Sequence, residues 1–315
     1  MASPCFLLTP LQGFDARDVG GAREKIFYYI RRYRDKKVIY FNGWSGFGVA
    51  PVLRSIEQEL RSIKAKKSPP KLCLDKIVYI DCSAWESKRV MQRKIAEELK
   101  LGPETMAVLD MQDEDDDFNG VDHGSRDVIP SVSQVIARTL VDKKFMMIFL
   151  NGSDDEVDVT RFGITPGYCD HIILWTFKRR SLTIHNRREE IGRKLRYTQV
   201  LLYTRSLASE LTSSQFQSLL REEAANIVAR QPWVRGIDLI MLMESCLYEL
   251  FLQCSFHRIT GFAWVAHAPN YWTCDGIIKA GDVTRQIIDR LHQEIRWVCD
   301  APLLGSVFAK LMEDP

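Results

Sequence analysis

Between the apolar run Lys37–Asn42 (KVIYFN) and an amphipathic stretch from about Ala50 to Lys64 lies the turn Gly43-Trp44-Ser45-Gly46-Phe47-Gly48. A glycine-rich turn that joins a strand to a helix can cradle phosphate, because backbone N–H groups and the positive helix N-terminus face the anion. The hydrolysing version reads G-x-x-x-x-G-K-[ST]; its lysine reaches the outer phosphates and its hydroxyl holds Mg²⁺. Here the glycines are kept, but Val49, Ala50 and Pro51 follow them. Valine carries no charge, alanine has no hydroxyl, and proline has no N–H, although a first helical turn tolerates it. Glycines alone suit any tight strand-to-helix turn, so the segment marks a candidate anion site without marking a hydrolase.

Other clusters carry weaker chemistry. Asp115-x-Asp117-x-Asn119-Gly120 copies the first half of a calcium loop, but Arg126 stands where a bidentate glutamate is needed. Lys178, Arg179, Arg180, Arg187, Arg188, Arg193, Lys194 and Arg196 form a basic cluster that could touch nucleic-acid phosphates. Few aromatics interleave with it, so the stacking signature of single-strand binders is missing and a solvated surface is the simpler account. The six histidines show no metal-ligand spacing with cysteine. No Gly-x-Ser-x-Gly elbow occurs, and Asp154–Glu156 reads as loop, so no metal and no enzyme chemistry is expected.

These residues need elements to hold them. Glu24–Tyr33 has helical spacing at Ile26, Ile30 and Tyr33, and Val52, Leu53, Ile56 and Leu60 make one face of the helix after the glycine turn. Lys76–Asp81, Lys144–Leu150, His171–Thr176 and Gln199–Tyr203 read as further strands, with helices over Glu86–Leu101 and Val132–Val141. Asp113–Asp117 (DEDDD) and the stretch to Gly124 read as a polar loop. Alternating strands and helices predict an α/β fold, a parallel sheet with helices on both faces. Thr212 and Gln215 make a capping-box start for a helix to about Arg230. Beyond it, Asp238–Phe251, Val283–Val298 and Pro302–Leu311 look helical, and Gly261–Ala268 strand-like.

The bulk composition is that of a globular protein: 315 residues, 46% hydrophobic and 27% charged. A formal net charge of +2 argues against attraction of the whole molecule to nucleic acid or anionic membrane. Eight scattered cysteines without a C-x-x-C pair suit a reducing compartment. No run reaches the 18 or so apolar residues of a membrane span, and Met1–Pro10 is too short for a signal peptide. Cytoplasm, or cytoplasm and nucleus, is the expected location.

The order of these features resembles the NB-ARC domain of plant NLR (nucleotide-binding, leucine-rich-repeat) disease-resistance proteins. Val19-Gly20-Gly21-Ala22-Arg23-Glu24 stands where that family has a base-contacting Gly-Arg-Glu element. Ile77–Trp85 (IVYIDCSAW) matches the strand after the P-loop helix, and Met91–Leu101 the helix after it. Phe145–Asn151 falls on the strand that ends in two aspartates, and Ile173–Lys178 (ILWTFK) on the one ending Thr-Thr-Arg. Cys246–Phe251 and Tyr271–Ile278 (YWTCDGII) resemble segments of the family's winged helix, and Met312-Glu313-Asp314 its Met-His-Asp motif.

The resemblance implies a P-loop NTPase-like domain over 17–200, a shortened helical segment over 201–235 and a winged-helix-like module over 236–315. It implies ADP as the nucleotide, with Arg23, Gly43, Gly46, Phe47, Gly48, Val49, Ala50 and Lys178 as the contacting positions. The departures imply no hydrolysis. Val49 and Ala50 replace the lysine and hydroxyl, Leu150 and Asn151 replace the two acids, and Lys178 lacks an arginine's fork. The expected role is a non-hydrolysing, defence-associated switch or scaffold with unidentified protein partners. The alternatives are a pure interaction module with a vestigial pocket, or a weak nucleic-acid binder through the 178–196 cluster.

Overall fold

Phe145–Leu150 is buried at every position, and so is Val38–Phe41. Such strands have no face for water, so they must lie inside a sheet covered on both sides. A computed structural model of the chain gives that arrangement and describes residues 10–33, 37–44, 46, 48–65, 72, 74–82, 87–151, 156–165, 171–177, 194–206 and 210–230, with isolated residues 241, 270, 273, 274 and 276. Six strands are present: β1 (Leu11–Phe14), β2 (Val38–Phe41), β3 (Lys76–Asp81), β4 (Phe145–Leu150), β5 (His171–Thr176) and β6 (Val200–Thr204). All pair in parallel, in the order β1-β6-β2-β5-β4-β3.

Among the described residues six α-helices accompany the sheet: α1 (Val19–Arg32), α2 (Val49–Ala65), α3 (Lys88–Leu99), α4 (Pro103–Phe118), α5 (Pro130–Leu140) and α6 (Ser213–Arg230). Side chains alternate across β4: Met146, Ile148 and Leu150 join one core, and Phe145, Met147 and Phe149 join the other. The first core also takes Ile26 and Phe27 from α1, Leu53 and Ile56 from α2, and Phe216 and Leu219 from α6. The second takes Met91 and Ile95 from α3 and Val132 and Ile136 from α5. The expected α/β fold with a parallel sheet is therefore present.

β2 occupies the pivotal place. From β2 the chain passes through α2 to the far edge at β3, then returns strand by strand through β4 and β5. β6 arrives on the other side of β2, between it and β1. Ligands of open α/β sheets bind outside the carboxyl ends of strands where the winding changes direction, and the glycine turn leaves β2 at that place.

Four expectations change. α1 begins at Val19, not Glu24, because Asp18 caps it by accepting from the Gly21 N–H at 2.6 Å. The edge strand β1, too short to show a period, was absent from the sequence reading. The strand expected at Gln199–Tyr203 runs to Thr204, and the capping box after it forms as expected: the Thr212 N–H donates to Gln215 Oε1 at 3.0 Å, and the Gln215 N–H to Thr212 Oγ1 at 3.3 Å. β6 and α6 both contribute to the first core, and the module expected at 236–315 lies outside the described residues apart from isolated positions.

The largest correction is Asp113–Asp117, which is not a loop but the last two turns of α4. Two nearly buried arginines hold it. Arg89 donates to Asp113 Oδ1 at 2.9 Å and to the Asp127 carbonyl at 2.8 Å, and pairs with Asp116 at 3.3 Å. Arg126 pairs with Asp117 and with Asp113, the latter at 3.7 Å. Arg93 bridges Asp110 and Asp113 at 2.7 and 2.8 Å. The self-repulsion that would open the helix is offset at Asp113, Asp116 and Asp117, which face these arginines. The calcium-loop reading fails with it, since Asp115 and Asp117 are helical and Asp117 faces Arg126.

Removing one member of such a network strands the others without a counter-charge. Arg89→Ala should lower stability by about 3–5 kcal/mol. It should also strip amide-exchange protection from 103–118 before the sheet loses it, as read by urea unfolding and hydrogen exchange.

Candidate functional site

The glycine turn is built from backbone geometry that side chains resist. Gly43, Gly46 and Gly48 have φ of 57°, 96° and 65°, all in the left-handed region. Its first residues are tied to neighbouring strands. The Asn42 N–H donates to the Leu202 carbonyl at 2.9 Å, and Thr204 donates both its N–H (3.1 Å) and its hydroxyl (2.9 Å) to the Gly43 carbonyl. The Gly46 N–H turns inward to the Asn42 carbonyl at 2.7 Å, so that amide is already used. The Val52 N–H then meets the Gly48 carbonyl at 3.1 Å and α2 is under way.

Trp44 decides the character of the turn. Its side chain is fully buried, and its indole N–H donates to the Ala16 carbonyl at 3.0 Å. A Cβ placed on Gly48 would sit 2.7 Å from the indole ring and 3.3 Å from Leu219 of α6. Gly48 is thus required by a tryptophan packed against its backbone. Gly43, Gly46, Gly48, Val49 and Ala50 are all buried. Helix geometry leaves the first-turn N–H groups of Val49 and Ala50 without intrahelical partners, and both residues are buried in the first core.

The structure brings Gly43, Gly46, Gly48, Val49 and Ala50 together. Arg23 lies elsewhere along α2: its guanidinium donates to Ser55 Oγ at 3.0 Å and pairs with Glu59 at 2.6 Å. Ser55 is six residues beyond Val49, roughly 9 Å along the helix axis. Phe47 and Lys178 lie outside the described residues. At the end of β4, Leu150 is buried in the first core, and the Asn151 N–H donates to the Thr176 carbonyl at 2.9 Å.

A second feature escaped the sequence reading. A small cleft of about 20 Å³ beside β2 and β5 is lined by Val38, Phe149, Ile173, Trp175, Tyr197 and Glu156, among others. Within it the Trp175 indole N–H donates to Thr198 Oγ1 at 2.9 Å, and that hydroxyl donates to Glu156 Oε1 at 2.6 Å. The Tyr197 N–H donates to Glu156 Oε2 at 2.8 Å. Burial pushes the Glu156 carboxyl above its ordinary pKa, and the hydrogen bonds from Thr198 and backbone amides pull the other way. The one signal in the sequence was a tryptophan in an apolar strand, whose N–H must find an acceptor.

Among the described residues no group of three or more His, Cys, Asp or Glu could hold a metal ion, and no helix is long and apolar enough to cross a membrane. No protein-family model matches the chain, and no curated protein matches it.

Two outcomes are expected. Gly48→Ala should destabilise the protein by about 1–3 kcal/mol from backbone strain alone, with the clash against Trp44 adding to it, as read by the urea midpoint. For Glu156 the folded pKa is raised, so its stabilising protonation is present below the ordinary glutamate value of 4.5 and is lost as pH rises through the folded pKa. The stability of wild type relative to Glu156→Gln should therefore fall between acid and neutral pH. A difference that stays flat or grows would contradict this.

Proposed function

We propose that this chain is a non-hydrolysing module of the P-loop NTPase type, akin to the nucleotide-binding core of plant NLR receptors, that works as a switch or scaffold in defence. The observation that carries the reading is the placement of a three-glycine turn at the carboxyl end of β2, where the winding of the parallel sheet reverses and α2 begins. That is where a nucleotide's phosphates belong in a fold of this kind. The residues around the turn then argue against turnover. Val49 offers no charge-assisted contact to phosphate, a type of bond worth about 1.5–3 kcal/mol. Ala50, Leu150 and Asn151 offer neither the hydroxyl nor the carboxylates that hold Mg²⁺ in phosphoryl transfer.

Whether ADP fits is a question of space. Gly43, Gly46, Gly48, Val49 and Ala50 are all buried and the Trp44 ring lies against Gly48, so the described part of the turn offers little open surface to a phosphate. This supports a second reading within the same fold, a scaffold whose pocket is closed for good. Both readings predict no ATP hydrolysis above background, and thermal melting separates them. A switch should melt slightly higher with millimolar ADP, equally with and without Mg²⁺, and Trp44→Ala should enlarge the shift by opening the cradle. A scaffold should show no shift in either form. Mg²⁺-dependent hydrolysis that disappears on mutating residues 43–50 would refute both.

A further inference from the structure

The paired acids fix how α4 is turned. Asp113 and Asp116 face Arg89 and Arg93, and Leu109 is buried in the second core. The opposite face is consequently outward, and it is not the polar face expected of a surface helix. Residues 104, 107, 108, 111, 114, 115 and 118 are all exposed and recur at helical spacing along one stripe. Four are apolar: Ala107, Val108, Met111 and Phe118, of which Val108, Met111 and Phe118 are 40%, 66% and 92% exposed. The other three are Glu104, Glu114 and Asp115, which form no ion pair with another described residue, unlike the acids on the inward face.

We propose that this stripe of α4 is a docking surface for a basic amphipathic helix of a partner protein. A facing helix would seat apolar anchors against Val108, Met111 and Phe118, in the helix-against-groove manner that reads i, i+3, i+4 and i+7 positions. Its lysines or arginines would meet Glu104 at one end and Glu114 and Asp115 at the other. α4 has 16 residues, about 24 Å of contact length, which suits a partner segment of four to five turns. Charge selects the occupant. Anionic lipid would be repelled by the three acids, and a second copy of α4 would bring acid against acid. Met111 also suits a recognition surface, because its unbranched thioether adapts to a partner's shape. The surface is independent of the glycine turn, so its test and the nucleotide test can fail separately.

The probe is a labelled peptide of about 18 residues, made of leucine and lysine with leucines on one helical face, titrated into the full chain by fluorescence anisotropy. One control disperses the leucines around the helix, and another replaces lysine by glutamate. Wild type should prefer the amphipathic lysine peptide over both by about tenfold or more. Met111→Glu with Phe118→Ser should lose about tenfold or more in affinity, while the unfolding midpoint stays near wild type because both side chains are exposed. Glu114→Lys with Asp115→Lys should shift the preference toward the glutamate peptide. Equal binding by the Met111/Phe118 variant, equal binding of the glutamate peptide to wild type, or no binding of any peptide would overturn the proposal. Sedimentation showing a wild-type dimer that the Met111/Phe118 variant cannot form would overturn it in favour of self-association.

Discussion

The indole of Trp44, buried against Gly48, is the contact on which the packing of the glycine turn depends. Three glycines with positive φ carry the chain from β2 into α2, and that geometry serves a bound anion and a packed ring equally well. Here the ring is in place, its N–H satisfied by Ala16 and its six-membered ring beside Gly48, with Leu219 also close to that glycine. α1 reaches the turn through the Ala16 carbonyl just before its cap, and α6 through Leu219. The double contact of Thr204 with the Gly43 carbonyl ties in β6. Segments from opposite ends of the described chain therefore meet at this one turn.

Much of the sheet was legible in the sequence because burial on both faces leaves an unmistakable pattern. Phe145–Leu150 has no polar position, and His171–Thr176 nearly none, so their boundaries could be read to within a residue. The capping box at Thr212 was legible for a similar reason: its two hydrogen bonds are local. β1 was not legible, since four residues paired only at one edge carry no period. α4 was misread because local charge density argued for a loop. Its acids are met by Arg89 and Arg93 of α3 and by Arg126, whose proximity appears only once α3 packs beside it. The candidate site was half legible. The glycines and the missing lysine, hydroxyl and acids stood in the sequence, but nothing there said that Trp44 turns inward.

The arginine–aspartate network shows what such an arrangement costs and supplies. Nearly buried ion pairs contribute little net stability once desolvation is counted. They do specify orientation, because only one rotation of α4 brings Asp113 and Asp116 to Arg89 while Asp117 reaches Arg126. A helix held in this way can keep apolar residues on its outer face, which hydrophobic packing alone would have turned inward.

The strand order has a consequence for synthesis on the ribosome. β2 finds its partners in β5, about 130 residues later, and in β6 beyond it, a wait of roughly 7–26 s at about 5–20 residues per second. β3 and β4 can pair in the meantime, and β5 can add to them. β6 must then slide between β1 and β2, two strands that emerged first and share no hydrogen bonds with each other. Until it does, the nascent chain carries an open slot with unsatisfied backbone on both sides, a template for pairing with any extended segment nearby. A ribosome that stalls before codon 200 would release a polypeptide whose sheet is split in two, and such products should be held by chaperones or cleared by proteases.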